Sequence, residues 1–142
     1  MNRELAEKLV ARFPRLFRDY PWERGGGFAG EDGWYDLLLS LSGQLAEIEA
    51  KFNCELVITN IDVENSGALG VAVRPTEKVS NLCMDKIYTA LENAADFSLK
   101  ICQECGTEVR VKSYSDGYDG MMLLCEEHAP SLPVKTRRRK SG

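Results

Sequence analysis

Four residues combine type and spacing into a chemistry: Cys102 and Cys105 in Cys-Gln-Glu-Cys-Gly, and Cys125 and His128 in Cys-Glu-Glu-His. Two thiolates separated by two residues grip one metal ion while the intervening amides turn toward the sulfurs, and Gly106 relieves the tight backbone that follows. The second pair repeats the spacing with imidazole in place of one thiolate. Three sulfurs and one nitrogen are a soft donor set, suited to Zn2+ rather than to magnesium or calcium. Four protein ligands also complete a tetrahedron and leave no position for a catalytic water, so the expected zinc is structural. Two other readings stand beside it. The cysteines can be buried hydrophobes with His128 at the surface, or Cys102 and Cys105 a redox pair. The redox pair needs a helix start after a strand in a thioredoxin-like unit, a pattern this chain lacks.

Other chemistries fail on the same residues. A zinc deaminase requires His-x-Glu upstream of its Cys-x-x-Cys, but His128 is the single histidine and lies downstream. A Cys–His nucleophilic pair, or a nuclease built on several histidines, would need that same imidazole. Gly-Gly-Gly-Phe-Ala-Gly at 25–30 lacks the Gly-Lys-Ser/Thr ending of a phosphate-binding loop and follows no suitable strand. Glu31, Asp32 and Asp36 can hold a hard cation, but acids beside a helix start ordinarily serve as caps and solvated charges. No enzyme is expected.

The elements that must position the four ligands follow from apolar periodicity. Residues 2–13 read as a short helix with Leu5, Leu9 and Phe13 on one face and Asn2 as its cap, interrupted by Pro14. A turn offering Leu16, Phe17 and Tyr20 precedes a Gly-rich loop that carries Trp22 and Phe28, aromatics that either form a partner-binding surface or pack over the core edge. Asp32 is placed to cap a helix over 33–52, whose stripe is Trp34, Leu38, Leu41, Leu45, Ile48 and Phe52, with Asn53 as its stop. Residues 54–64 and 68–75 read as strands joined at Asn65-Ser66-Gly67. In the first, Leu56, Ile58 and Asn60 share one face and Val57, Thr59 and Ile61 the other. A helix over 76–96, capped by Thr76, presents Val79, Leu82, Cys83, Ile87, Ala90, Leu91 and Ala94. Cys83 belongs to that stripe, and Cys54 opens a strand as a core or half-buried residue.

The fold class is therefore α+β. The expected organisation is a core over 1–98, a zinc-bound β-hairpin module resembling a zinc ribbon over 99–130, and a disordered basic tail over 131–142. In the module, Glu108–Tyr114 and MMLL at 121–124 form the two strands, and their return brings the ligand pairs together.

The charge is uneven. Of 18 Lys and Arg, five (Lys135, Arg137, Arg138, Arg139, Lys140) sit in the tail, leaving 13 against 22 Asp and Glu in residues 1–134. Such an acidic body repels a phosphate backbone unless its charges segregate, so nucleic acid must be met by the tail or a local patch. One patch is available: Arg110, Lys112 and Tyr114 alternate along the first hairpin strand, a basic and aromatic stripe suited to single strands. The opening residues MNRELAEKLVARF contain no continuous apolar stretch, and no run approaches the roughly 18 residues of a membrane span. A soluble, cytoplasmic protein without a disulfide framework is expected.

With Phe-Pro-Arg-Leu-Phe at 13–17, GEDGWYDLLLSL at 30–41 and CQECG…LLCEEHA at 102–129, the chain resembles a family of small bacteriophage and prophage proteins. That family combines an Arg-Phe-Pro segment, a Gly-Trp-x-x-Leu-Leu helix, a middle hairpin and a Cys-x-x-Cys-Gly…Cys-x-x-His-Ala ending. The likeness covers most of residues 9–129. It departs in the middle, where ENSGALGVAV stands in place of a Lys-Phe-Gly-Gly-Leu-Arg-type turn. The resemblance implies a phage-borne accessory protein in the bacterial cytoplasm, without a defined activity. The expected role is to bind a host or phage protein, one form being inhibition of a host defence system. A nucleic-acid-binding module anchored by the basic tail is the alternative.

Overall fold

The computed structural model describes residues 1, 3–20, 32–115, 117 and 120–130. Helix α1 (Arg3–Arg12) buries Ala6 and Leu9. Beyond Pro14 the chain turns, and Leu16, Phe17 and Tyr20 all enter the core, the two rings meeting edge to face at 6.3 Å. A single 3-10 turn (Asp32–Trp34) then leads into α2 (Tyr35–Phe52). Asp32 opens this turn, and Trp34 occupies the cap position of the α-helix; its fully buried indole, a donor with no acceptor atom, makes no cap bond. Leu38, Leu41 and Leu45 continue the buried stripe, and Ile48 and Phe52 pack at its margin. Asn53 ends the helix in the left-handed conformation at φ 51°, its N–H returning to the Glu49 carbonyl.

Strands β1 (Leu56–Val63) and β2 (Leu69–Pro75) form an antiparallel hairpin. Simple alternation assigns Ile61 to the face opposite Leu56 and Ile58, yet all three lie in one core cluster. A bulge explains the difference. Ile58 pairs with Val73 and Asn60 with Ala72, so Thr59 is an extra residue that returns Ile61 to the inner face. The Ile58 N–H donates to the Leu16 carbonyl at 2.7 Å, so the turn after α1 lies along the β1 edge.

Helix α3 (Asn81–Ser98) packs on α2 and β2. It starts four residues later than Thr76 capping predicts, because the Ser80 side chain accepts the Cys83 N–H at 3.1 Å and so defines the first turn. Cys83, Ile87, Ala90 and Ala94 form its buried stripe, while Leu82 is 58% exposed and off the core face. At its end the fully buried Ser98 hydroxyl donates to Ala95 O at 2.6 Å and accepts from the Leu69 N–H at 2.8 Å, tying α3 to β2.

A second antiparallel pair, β3 (Lys112–Ser115) and β4 (Met121–Leu124), precedes a 3-10 turn at Glu126–His128. The first strand is shorter than the alternation over 108–114 predicts. Arg110 adopts a positive φ of 55°, which breaks the extended run before it can pair. The whole is an α+β arrangement of helices with two small antiparallel sheets. Among the described residues, no helix is long and apolar enough to cross a membrane.

Candidate metal centre

The four candidate ligands come from two tight turns, one on each side of the β3–β4 hairpin. Cys102 and Cys105 flank a knuckle in which the Cys102 carbonyl accepts the Gly106 N–H at 2.8 Å and the Cys102 N–H donates to the Thr107 carbonyl at 2.9 Å. Gly106 takes φ +78°, the conformation that lets the chain leave the knuckle. The Glu104 N–H points at Cys102 Sγ at 3.4 Å, the amide-to-sulfur contact expected of this spacing. On the other side, Cys125 precedes the last 3-10 turn, where the His128 N–H closes onto the Cys125 carbonyl at 3.1 Å. That turn places the imidazole beside the sulfur of the same segment.

The donor atoms of Cys102, Cys105, Cys125 and His128 all lie within 4.8 Å of one another. Cys105 Sγ and Cys125 Sγ are 3.8 Å apart, Cys102 Sγ and His128 Nδ1 3.7 Å, and Cys125 Sγ and His128 Nδ1 3.2 Å. A tetrahedral ion with metal–sulfur bonds of about 2.3 Å and a metal–nitrogen bond of about 2.0 Å has edges of roughly 3.5–3.8 Å. Two of the three separations fall on such edges, and the third is a few tenths shorter. The four donors therefore lie close enough together to hold one metal ion, with the Nδ1 of His128 facing Cys102 and Cys125 and Nε2 left to carry the ring proton.

Electrostatics favour the ligating thiolate at Cys125 but the protonated forms of Cys105 and His128. Burial works against a charge on Cys125, but hydrogen bonds from the His128 ring and backbone and from Cys102 and Cys105 prevail and hold its thiol down at about 7. The hydrogen bond to Cys125 raises His128, helped by the neighbouring Glu104 and Glu127. For Cys105, a bond from the Thr107 backbone lowers the thiol, while burial and its sulfur neighbours outweigh it and raise it. Such thiolate–imidazolium contacts give way to metal bonds when a cation enters, with release of protons.

Half of this centre is sealed and half faces outward. Cys102 and Cys125 are buried, and Cys105 and His128 are exposed. Behind them Cys102, Leu124 and Cys125 form a small cluster, with Val111, Tyr114 and Met122 packed against it. The knuckle is also seated on the rest of the protein. Gln103 is 5% exposed: its N–H donates to the Leu123 carbonyl at 2.8 Å, its carbonyl accepts the Gly33 N–H at 2.8 Å, and its Nε2 donates to the Gly67 carbonyl at 3.2 Å. The Met121 N–H donates to Asn65 O at 2.8 Å, and Ile101 lies in the main core. Gly33 and Gly67 permit this closeness. A Cβ on Gly33 would strike the Cys102 carbonyl and lie 2.6 Å from the Gly106 nitrogen, and one on Gly67 would lie 2.5 Å from Leu123 Cδ2. Gly67 reads as a turn residue and Gly33 as part of a helix start, but nothing in the sequence links either of them, or Gln103, to residues so far along the chain.

The basic and aromatic stripe is only partly assembled. Lys112 and Tyr114 share one face of β3, opposite Leu124 and Met122. Tyr114 is half-buried against the metal knuckle. Arg110 lies outside the strand and pairs with Glu126 at 2.8 Å. Trp22, Phe28, the Gly-rich stretch, Glu31, and Arg137, Arg138, Arg139 and Lys140 lie outside the described residues. An open groove of 680 Å³ adjoins the centre, lined by Thr107, Val109, Arg110, Glu126 and Glu127 beside Cys105 and Cys125. No protein-family model, curated protein or solved structure matches the chain.

Proposed function

We propose that this chain is a non-enzymatic binding protein whose α+β core carries a structural Zn2+ in a zinc-ribbon-like hairpin. Its partner is a host or phage protein in the bacterial cytoplasm, and inhibition of a host defence system is one concrete form. The observation that supports the reading is the gathering of three thiols and one imidazole, with donor atoms all within 4.8 Å of one another. Zinc is favoured by the three sulfurs and one imidazole, and a set of four protein donors serves shape rather than catalysis. The phage setting rests on the resemblance carried by residues 13–17, 30–41 and 102–129.

The surface that the zinc would hold in shape is the groove beside it. Val109 is 66% exposed there, an apolar side chain among Thr107, Arg110, Glu126 and Glu127. Apolar contact ringed by polar groups is the composition of a protein interface. The nucleic-acid alternative is weaker at the hairpin, because Arg110 falls outside the strand and Tyr114 is packed, and it rests on the tail.

The test uses metal-loaded protein and its Val109→Glu variant as baits in a nuclease-treated bacterial lysate, followed by nucleic-acid binding at rising salt. The protein-binding reading expects a partner retained by the unmodified chain and lost with Val109→Glu. Retention of nucleic acid with a steep salt slope, reduced by deleting residues 135–142, and without a protein partner would replace it.

A further inference from the structure

Two cysteines remain outside the metal centre, and the fold brings them together. Cys54 Sγ and Cys83 Sγ are 3.9 Å apart although 29 residues separate them in sequence. Both are firmly placed. Cys54 follows the left-handed cap of α2, its N–H bonded to the Glu49 carbonyl at 3.1 Å. Cys83 sits in the first turn of α3, its N–H held by the Ser80 hydroxyl at 3.1 Å. Their accessibilities differ: Cys83 is fully buried, whereas Cys54 is half-buried and lines a groove with Arg15, Glu49, Glu55 and Thr76. One sulfur can meet a small reagent, and the other waits in contact behind it.

We infer that Cys54 and Cys83 are a redox-active pair that a low-molecular-weight disulfide of the glutathione class converts into an intramolecular disulfide. The Cys54 thiolate attacks one reagent sulfur and breaks the reagent's S–S bond. The first small thiol leaves with the electron pair and takes up a proton. The Cys83 thiolate then attacks Cys54 Sγ and expels the second small thiol. Two protein thiols are thereby oxidised and one reagent disulfide is reduced to two thiols. Bonding at about 2.05 Å requires the sulfurs to close by about 2 Å, within the sweep of a χ1 rotation.

Reaction is slow at neutral pH. Burial, then contact with Cys83 and the nearby Glu49, push the Cys54 thiol up to about 11, so its thiolate is scarce. The pair therefore stays reduced through brief exposure and closes under sustained oxidation or at higher pH. Once formed, the bridge joins the start of β1 to the start of α3 and encloses the whole β1–β2 hairpin.

The experiment treats metal-loaded protein with glutathione disulfide at mildly alkaline pH, alkylates in denaturant and maps the peptides by mass, with metal content followed in parallel. The expected result is joint loss of free Cys54 and Cys83 as one cross-linked peptide, with the metal retained. The melting temperature should rise by up to roughly 10 °C. Cys83→Ala should stall with glutathione on Cys54, and Cys54→Ser should leave Cys83 free. Two outcomes overturn the inference: both thiols remaining free after prolonged treatment, or a bridge that forms only as metal is lost. Mapping of the unmodified protein supplies this reading even where a variant fails to fold.

Discussion

Replacing Gly33 by alanine tests whether the core and the metal knuckle are built against each other. The added methyl would strike the Cys102 carbonyl and lie 2.6 Å from the Gly106 nitrogen and 2.7 Å from the Gln103 carbonyl carbon. All three are backbone atoms of the knuckle, so no side chain can swing aside. Overpacking of this kind costs about 1–3 kcal/mol. The displacement also strains the Gly33 N–H to Gln103 carbonyl bond of 2.8 Å, a further loss of about 0.5–1.5 kcal/mol. A total of about 2–4 kcal/mol lowers the melting temperature by roughly 6–15 °C. Because relief comes from moving residues 102–106, metal affinity should fall by roughly 10- to 1000-fold. Thermal melts of metal-loaded protein and competition against a chromophoric chelator read the two effects. Gly43→Ala is the control: nothing lies within 4 Å of its Cβ in α2, and a gain of about 0.5–1 kcal/mol is expected. A Gly33→Ala protein that melts and binds metal like the unmodified chain would refute the coupling.

Further outcomes follow from single contacts. Ser98→Ala leaves the buried Leu69 N–H without its acceptor and should cost about 1–3 kcal/mol in a denaturant titration; an unchanged midpoint would contradict that role. The raised Cys54 thiol favours the neutral form in the folded state, so its contribution is complete below the ordinary value of 9.0 and is lost as pH rises toward about 11. The unmodified chain should therefore lose more stability than Cys54→Ala across that window, and parallel pH profiles would show that the thiol is not held neutral. Arg110→Ala removes an ion pair whose side chains are 73% and 68% exposed and should change stability by less than about 1 kcal/mol. A larger loss in a denaturant titration would place Arg110 in a more constrained role.

The elements were legible where one physical signal dominated. The stripe from Trp34 to Phe52, the stop at Asn53 and the buried Leu16, Phe17 and Tyr20 follow from periodicity and turn chemistry, and all are present. The clustering of Cys102, Cys105, Cys125 and His128 was legible because the spacing of two Cys/His pairs is a local property, and the fold brings all four together. What failed to show depended on distant partners. Thr59 carries no mark of a bulge, yet it decides which face Ile61 joins. Ser80 prevails over Thr76 as a cap because its own hydroxyl reaches the Cys83 N–H. Arg110 reads as one position in an alternating strand, but its left-handed backbone ends the alternation. Gly33, Gly67 and Gln103 matter only because the knuckle lands on them, and Cys54 meets Cys83 only once α3 packs on α2 and β2. These are properties of the assembled chain rather than of any window of it.

The proposed function depends on a single zinc held by Cys102, Cys105, Cys125 and His128. Native mass spectrometry with elemental analysis, on protein purified under reducing conditions without chelator, tests it directly. One zinc per chain is expected, lost in Cys102→Ser and recovered by adding zinc to the stripped unmodified protein. Substoichiometric metal in the unmodified chain, or full retention in Cys102→Ser, would contradict it.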